Sequence, residues 1–225
     1  PHQGVLLEVG PFPYAEPETL VARASAGPEP GFLLVLDGIQ DPQNLGAIVR
    51  SAEAAGVHGC VIPKDRAAGV SSAAVRASAG ATEHLPIARV TNLAAFLETV
   101  KSQGFWVVGT DASGGHSLFA SDLTDPLALV IGGEEQGLRH LTKSRCDLIV
   151  HIPSCGRVAS LNASAAAAVC LFEVARQRSR TLRQNPASKG PLQPCPPRGR
   201  AAPAHPGRCG EGPGQIRGGS RMKII

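Results

Sequence analysis

Leu33-Leu34-Val35-Leu36, Asp37-Gly38-Ile39-Gln40-Asp41-Pro42 and Asn44-Leu45-Gly46-Ala47-Ile48-Val49-Arg50 follow one another almost without a break. The first group is an unbroken apolar run, the pattern of a strand buried on both faces. The second carries Gly, Asp and Pro and reads as a loop. In the third, Leu45, Ile48, Val49 and then Ala52 recur at helical spacing, which predicts a helix over about 44–55. Strand, short loop and helix in that order open a parallel α/β sheet.

The alternation continues outward. Cys60-Val61-Ile62 reads as a strand, 71–78 as a short helix, 85–88 as a short strand and 93–101 as a helix. Trp106-Val107-Val108-Gly109 and 127–131 read as strands, 138–144 as a short helix, 148–152 as the last strand and 162–176 as the last helix. The fold class is therefore α/β, a parallel sheet covered by helices, over residues 31–180. Residues 1–30 hold Pro11, Pro13, Pro17, Pro28 and Pro30, which oppose a long helix, so the segment reads as a linker entering a domain at Gly31. Within it, His2-Gln3-Gly4-Val5-Leu6-Leu7 reads as a short extended piece. Residues 181–225 hold 8 Gly and 8 Pro with few large apolar side chains, and read as a disordered tail.

Charge divides the same way. Residues 181–225 carry 8 Lys+Arg against 1 Asp+Glu, while 1–180 carry 14 against 17, so the expected folded part is not basic overall. Nucleic-acid binding there would need local patches, a partner or a further domain. No apolar run reaches the ~18 residues of a membrane span, and residues 1–30 lack the pattern of a secretory signal. The six cysteines form no CxxC pair, which points to a reducing compartment and no zinc site. The chain has no GxxxxGK[ST] loop, no G-x-G-x-x-G after the first strand and no G-x-S-x-G elbow. Its seven histidines lack HExxH spacing.

Three stretches put polar residues or glycines after expected strands, the edge where open parallel sheets bind ligands. In the first, Asn44 stands where a helix cap would stand, and Gly46 lies four residues before Arg50, leaving room on the helix beneath a fork of donors suited to phosphate. In the second, Ile131-Gly132-Gly133-Glu134-Glu135-Gln136-Gly137-Leu138, paired glycines let a ligand approach the main chain, and Glu134 is placed to accept from backbone or from Arg50. The third runs from Ile152-Pro153-Ser154-Cys155-Gly156-Arg157 to Ser160-Leu161-Asn162, where Ser160 or Asn162 caps a helix rich in alanine. We expect these loops to meet in one site.

Taken together, Asn44-x-Gly46-x-x-x-Arg50, Gly132-x-Glu134-x-x-Gly137 and Ile152-Pro153 through Ser160-Leu161-Asn162-Ala163-Ser164 resemble the three signature motifs of the SpoU (TrmH) family of RNA ribose 2′-O-methyltransferases. His2-Gln3-Gly4, Asp37-Gly38, Asp41-Pro42, Pro63-Lys64-Asp65-Arg66 and Arg89-Val90-Thr91-Asn92-Leu93 are similar to its bacterial 23S rRNA guanosine-2′-O-methyltransferase branch. The resemblance implies an α/β knot of the SPOUT type, a trefoil-knotted parallel sheet with helices on both faces. It implies a homodimer, S-adenosylmethionine as cofactor, an rRNA substrate, no metal and no membrane. A cytoplasmic setting follows, or an organellar one if a transit peptide preceded Pro1. It also implies a small RNA-binding domain ahead of residues 1–30. Arg50, Asn44, Glu134, Ser160 and Asn162 would serve catalysis. Gly132, Gly133, Gly137, Thr110, Ile152 and Leu161 would line the cofactor. Arginine offers donors and no acceptor, so Arg50 is read as orienting the target phosphate and hydroxyl. A tRNA ribose methyltransferase and a non-catalytic RNA-binding protein on the same fold are the alternatives.

Overall fold

The computed structural model describes residues 10–134, 136–156 and 161–184, with helical side chains to residue 180. Seven strands make one sheet: β1 (Phe32–Asp37), β2 (Gly59–Pro63), β3 (Ile87–Val90), β4 (Trp106–Thr110), β5 (His116–Ser117), β6 (Leu127–Gly132) and β7 (Leu148–His151). They lie in the order β3-β2-β1-β6-β4-β7-β5, and every pairing is parallel. The strand order reverses between β1 and β6, where Asp37 stands in register with Gly132. All strand ends that carry the candidate loops therefore share one edge, with a switch point between the first loop and the second.

The central strands bury both faces. Phe32, Leu34 and Leu36 point into one apolar layer and Leu33 and Val35 into the other. The first layer is closed by α2 (Pro42–Ala54), α3 (Ser72–Ala77) and α6 (Ala163–Gln184) through Leu45, Ile48, Val49, Ala74, Ala167 and Leu171. The second is closed by α1 (Pro17–Ser25) and α4 (Leu93–Ser102) through Leu20, Val21, Phe96, Leu97 and Val100. Such a sheet has no wet face, which is why its strands read as continuous apolar runs rather than alternating ones.

Four expectations need correction. The segment 1–30 is not linker throughout: the compact unit begins at Phe12, and α1 buries Leu20, Val21 and Ala24. Pro17 opens that helix, where its missing N–H costs nothing. Ala15 N also donates to Ile87 O at 2.8 Å, tying the segment to edge strand β3. At the other end α6 runs to Gln184, eight residues past its expected stop and into the expected tail. Just past that stop, Gln177 Nε2 donates to Ser121 O at 3.0 Å and Arg178 to Pro30 O at 2.7 Å, which ties the added turn to the rest of the fold. Strand β3 begins two residues later than read, because 81–85 wind into a turn instead, with Ala81–Glu83 a 3-10 helix. The fifth α-helix, α5, is only His140–Lys143. Residues 1–9, with the extended piece expected there, and 185–225 lie outside the described residues.

Candidate active site

Helix α2 starts two residues before Asn44. Its cap is Asp41, whose Oδ1 accepts from Gln43 N at 3.0 Å and Oδ2 from Asn44 N at 3.3 Å, with Pro42 in the first turn. Asn44 is thus not the cap, and its side chain reaches out of the helix instead. Its Nδ2 donates to Glu134 Oε1 at 2.8 Å, and its Oδ1 accepts from Asn162 Nδ2 at 3.2 Å. Glu134 Oε2 also accepts from Gln40 N at 3.5 Å. The first, second and third loops therefore do meet, through Asn44, Glu134 and Asn162.

The direction of this chain of bonds is dictated from both ends. A carboxylate only accepts, so the Asn44 amide must turn its NH2 to Glu134 and its oxygen to Asn162. The Asn162 oxygen then faces α6, where it accepts from Ser164 N at 2.9 Å, Ser164 Oγ at 2.6 Å and Ala165 N at 3.4 Å. Asn162 is a helix cap and a loop-to-loop link at once. Helix α6 packs on α2 through its small residues, with Ala163 and Ala167 buried, and this brings the two helix starts together.

The glycines act differently from the sequence expectation. A Cβ on Gly46 would lie 2.4 Å from Ala74 O and 2.5 Å from Ala77 Cβ, so the room beneath Arg50 is filled by α3 and not by a ligand. A Cβ on Gly132 would strike Gly137 C at 2.3 Å, and one on Gly133 would strike Gly38 O at 2.4 Å. The paired glycines let the second loop fold tightly on itself and on the first. Gly133 and Gly137 exchange hydrogen bonds of 3.2 and 3.1 Å, and Gly137 takes φ +62°.

Arg50 is exposed on α2 and, among the described residues, makes no hydrogen bond or ion pair; Glu134 takes its bonds from Asn44 and Gln40 instead. Thr110 is half-buried at the end of β4, its Oγ1 donating to Val130 O at 3.2 Å. Ser160 lies outside the described residues. Beside Thr110, Asp111 accepts from Lys143 Nζ at 2.9 Å and from Ser113. Burial works to raise its carboxyl, but those bonds outweigh it and hold it below the usual range. Burial pushes the thiols of Cys60, Cys146 and Cys170 up to about 12, which removes them as nucleophiles at neutral pH. Among the described residues no group of three or more His, Cys, Asp or Glu stands where it could hold a metal. No described helix is long and apolar enough to cross a membrane.

Three residues went unassigned in the sequence: Gln40, Asp37 and Arg139. Asp37 is buried at the end of β1 and accepts from Arg139 N at 2.9 Å and from Arg139 Nε. An acid ending an apolar run is the signal that could have found it, because a buried charge requires a partner.

The residues at this edge suit S-adenosylmethionine. Residues 152–156 and 161–164 carry no charged side chain, Ile152 is half-buried, and Leu161 is 53% exposed. Main-chain donors and acceptors beside aliphatic side chains match an adenosine, which needs hydrogen bonds and an apolar face. His151, just before Ile152, has its Nδ1 buried without a hydrogen-bond partner among the described residues, a polar atom still to be satisfied beside this loop.

Comparison with known proteins agrees with this geometry. The profile of the SpoU rRNA Methylase family matches residues 31–172. The 23S rRNA (guanosine-2′-O-)-methyltransferase RlmB of Photorhabdus laumondii is 48% identical over 178 residues, covering 79% of this chain and 72% of that protein. RlmB of Escherichia coli K12 is 45% identical over 178 residues, covering 79% and 73%. Among solved structures, the SpoU methyltransferase AviRb from Streptomyces viridochromogenes in complex with AdoMet superposes with a TM-score of 0.66 at 35% identity, covering 71% of this chain and 64% of that one. With a matching profile over most of the folded unit, relatives near half identity and the three motif loops joined in space, the chain belongs to the SpoU rRNA methylase family.

Proposed function

We propose that this protein transfers a methyl group from S-adenosylmethionine to the 2′-oxygen of a ribose in large-subunit rRNA, a guanosine. The observation that carries the reading is the linked set Glu134–Asn44–Asn162, which joins the three motif loops at the switch point of the sheet while leaving Arg50 exposed and, among the described residues, without a hydrogen bond or ion pair. S-adenosylmethionine, when bound, supplies an activated methyl group on a sulfonium centre. The protein's own part is alignment: the ribose oxygen takes the methyl group as the sulfonium's carbon–sulfur bond breaks, and the hydroxyl proton passes to the target phosphate or to water. Gly132, Gly133, Gly137, Ile152 and Leu161 would hold the cofactor through main-chain groups and aliphatic contact, with Thr110 at the end of the neighbouring strand. Arg50 would hold the target phosphate and direct the ribose hydroxyl, since a guanidinium presents a planar fork of donors to phosphate oxygens. Asn44, Glu134 and Asn162 fix the position of α2, and so of Arg50, against the cofactor loops. Ser160 belongs to the same set by motif.

We read the chain as knotted and dimeric for the same reason, family membership. Membership alone supports the first, and the half-exposed Phe119 and Phe172 offer apolar surface for the second.

Calorimetric titration with S-adenosylhomocysteine, together with transfer of labelled methyl from S-adenosylmethionine to protein-free 23S rRNA, tests the reading. The parent chain should bind and methylate. Arg50→Ala should bind the cofactor product as the parent does and lose about 100-fold in transfer, the size of one lost transition-state donor. Parental transfer by Arg50→Ala would remove the residue from the chemistry. Absence of binding by both proteins would leave a SpoU fold without the reaction.

A further inference from the structure

Asp37 occupies an unusual place. It is the last residue of β1, its register partner is Gly132, and its side chain is fully buried. Its main-chain oxygen accepts from Gly133 N at 2.9 Å. Its carboxylate accepts from Arg139 N at 2.9 Å and from Arg139 Nε. Gly133 and Arg139 are the two ends of the second motif loop, so one residue fastens both. The following residue, Gly38 at φ +85°, puts its carbonyl where a side chain on Gly133 would be. Between those ends stand Glu134, which binds Asn44, and Gly137, which bonds back to Gly133.

We infer that Asp37 is a positioning residue for methyl transfer: its buried carboxylate, paired with Arg139, clamps the loop that presents Glu134 to Asn44 and the Gly132–Gly133 main chain to the cofactor. The inference rests on the function proposed above for the loop, but the clamp itself is a property of the chain without cofactor. A buried carboxylate that lacks its donors is strongly disfavoured, so Asp37 and Arg139 enforce each other's place. Asparagine at position 37 keeps the shape, but its NH2 would face a donor, so only one of the two bonds to Arg139 survives. Cofactor affinity should respond through the loop, while the rest of the sheet keeps its own hydrogen bonds.

The test uses the full chain and three variants, Asp37→Asn, Arg139→Met and the double change Asp37→Leu with Arg139→Met. Binding of S-adenosylhomocysteine is read by calorimetry, loop opening by amide hydrogen exchange without ligand, and stability by thermal unfolding. Asp37→Asn should weaken binding about tenfold, the loss of one charge-assisted hydrogen bond. Exchange should accelerate at Gly133, Gly137 and Arg139 and stay parental in β2 and β3. Should Asp37→Asn fail to fold, Arg139→Met, which keeps the bond from its own N–H but leaves the buried carboxylate without its countercharge, should show the same local pattern at least as strongly. The double variant replaces an ion pair with apolar side chains, so it should regain stability over the single changes without regaining affinity. Parental affinity in Asp37→Asn, exchange accelerated throughout the sheet, or a double variant that recovers both stability and affinity would each reduce Asp37 to a core residue and overturn the inference. If the parent itself does not bind, the proposed function fails, and the exchange pattern alone then decides whether Asp37 holds the loop.

Discussion

The two edges of the sheet are fastened by opposite means. At the edge where the strands begin, Arg178 of α6 reaches across. Its guanidinium donates to the main-chain oxygens of Pro30 at 2.7 Å, Gly31 at 3.1 Å, Asp125 at 2.7 Å and Leu123 at 3.4 Å, and lies 4.9 Å from the centre of the Phe32 ring. Next to it Phe32 N donates to His58 Nδ1 at 2.9 Å. Main-chain groups are the targets there, and four of the five guanidinium N–H donors are engaged. At the edge where the strands end, side chains bind side chains across three loops, and Arg50 has no hydrogen bond or ion pair among the described residues. The first arrangement satisfies the fold's own polar groups, whereas the second keeps polar groups in reserve for another molecule. Stability and chemistry should therefore separate along the strand direction.

The largest separation is expected at Arg178. Arg178→Ala takes their donor from the part-buried carbonyls of Pro30 and Leu123 and removes the cation over the Phe32 ring, while Gly31 O keeps Leu127 N, and unfolding in urea should show a loss on the order of 3 kcal/mol. Binding of S-adenosylhomocysteine by the folded fraction should remain parental. A large fall in that affinity with little loss of stability would break the comparison. The converse case is Asn44→Ala, which leaves Glu134 and Asn162 without their shared partner at an exposed site. Methyl transfer should drop about tenfold while stability changes by under ~1 kcal/mol. Equal losses in both variants would mean that the two edges are not specialised.

The layered fold was legible in the sequence because its strands are buried on both faces, which leaves continuous apolar runs and no ambiguity about which side faces water. That the three motif loops would converge was legible for the same reason: in a parallel sheet the strand ends share an edge. What the loops do to one another was not. Asn44 looked like a cap until Asp41 took that place, because both residues suit an N-cap and the choice depends on Pro42 opening the helix. Gly46 and Gly132 looked like openings for a ligand, but their clearances are occupied by α3 and by Gly137. Glycine reports that something comes close and not what it is. Helix α1 was not legible in the sequence because prolines oppose a helix at every position but its first turn, and Pro17 occupies that turn. Asp37 went unassigned because its partner, Arg139, lies about a hundred residues away.

The smallest effect, and the sharpest for the comparison, concerns pH. Burial is the largest cause holding the His58 imidazole below its ordinary value. The positive fields of Arg178 and Arg23 add to it, while Glu29 opposes. Its Nδ1 accepts from Phe32 N, a bond that protonation would replace with two opposed donors. Because the folded value is lowered, the unfolded chain takes up the proton first. Stability should be full above the ordinary histidine value of about 6.5. It should decline as the pH falls below that value and level off once the folded form is protonated as well. His58→Gln can keep an acceptor for Phe32 and has nothing to titrate, so its melting temperature should fall less between pH 7 and pH 5 than the parent's. The difference should be a fraction of the loss from Arg178→Ala, and cofactor affinity per folded molecule should not follow it. Parallel melting curves for the two proteins across that range would show that His58 does not carry the acid response. The strand-start edge would then owe its hold to Arg178, and the contrast between the two edges would rest on one residue instead of two.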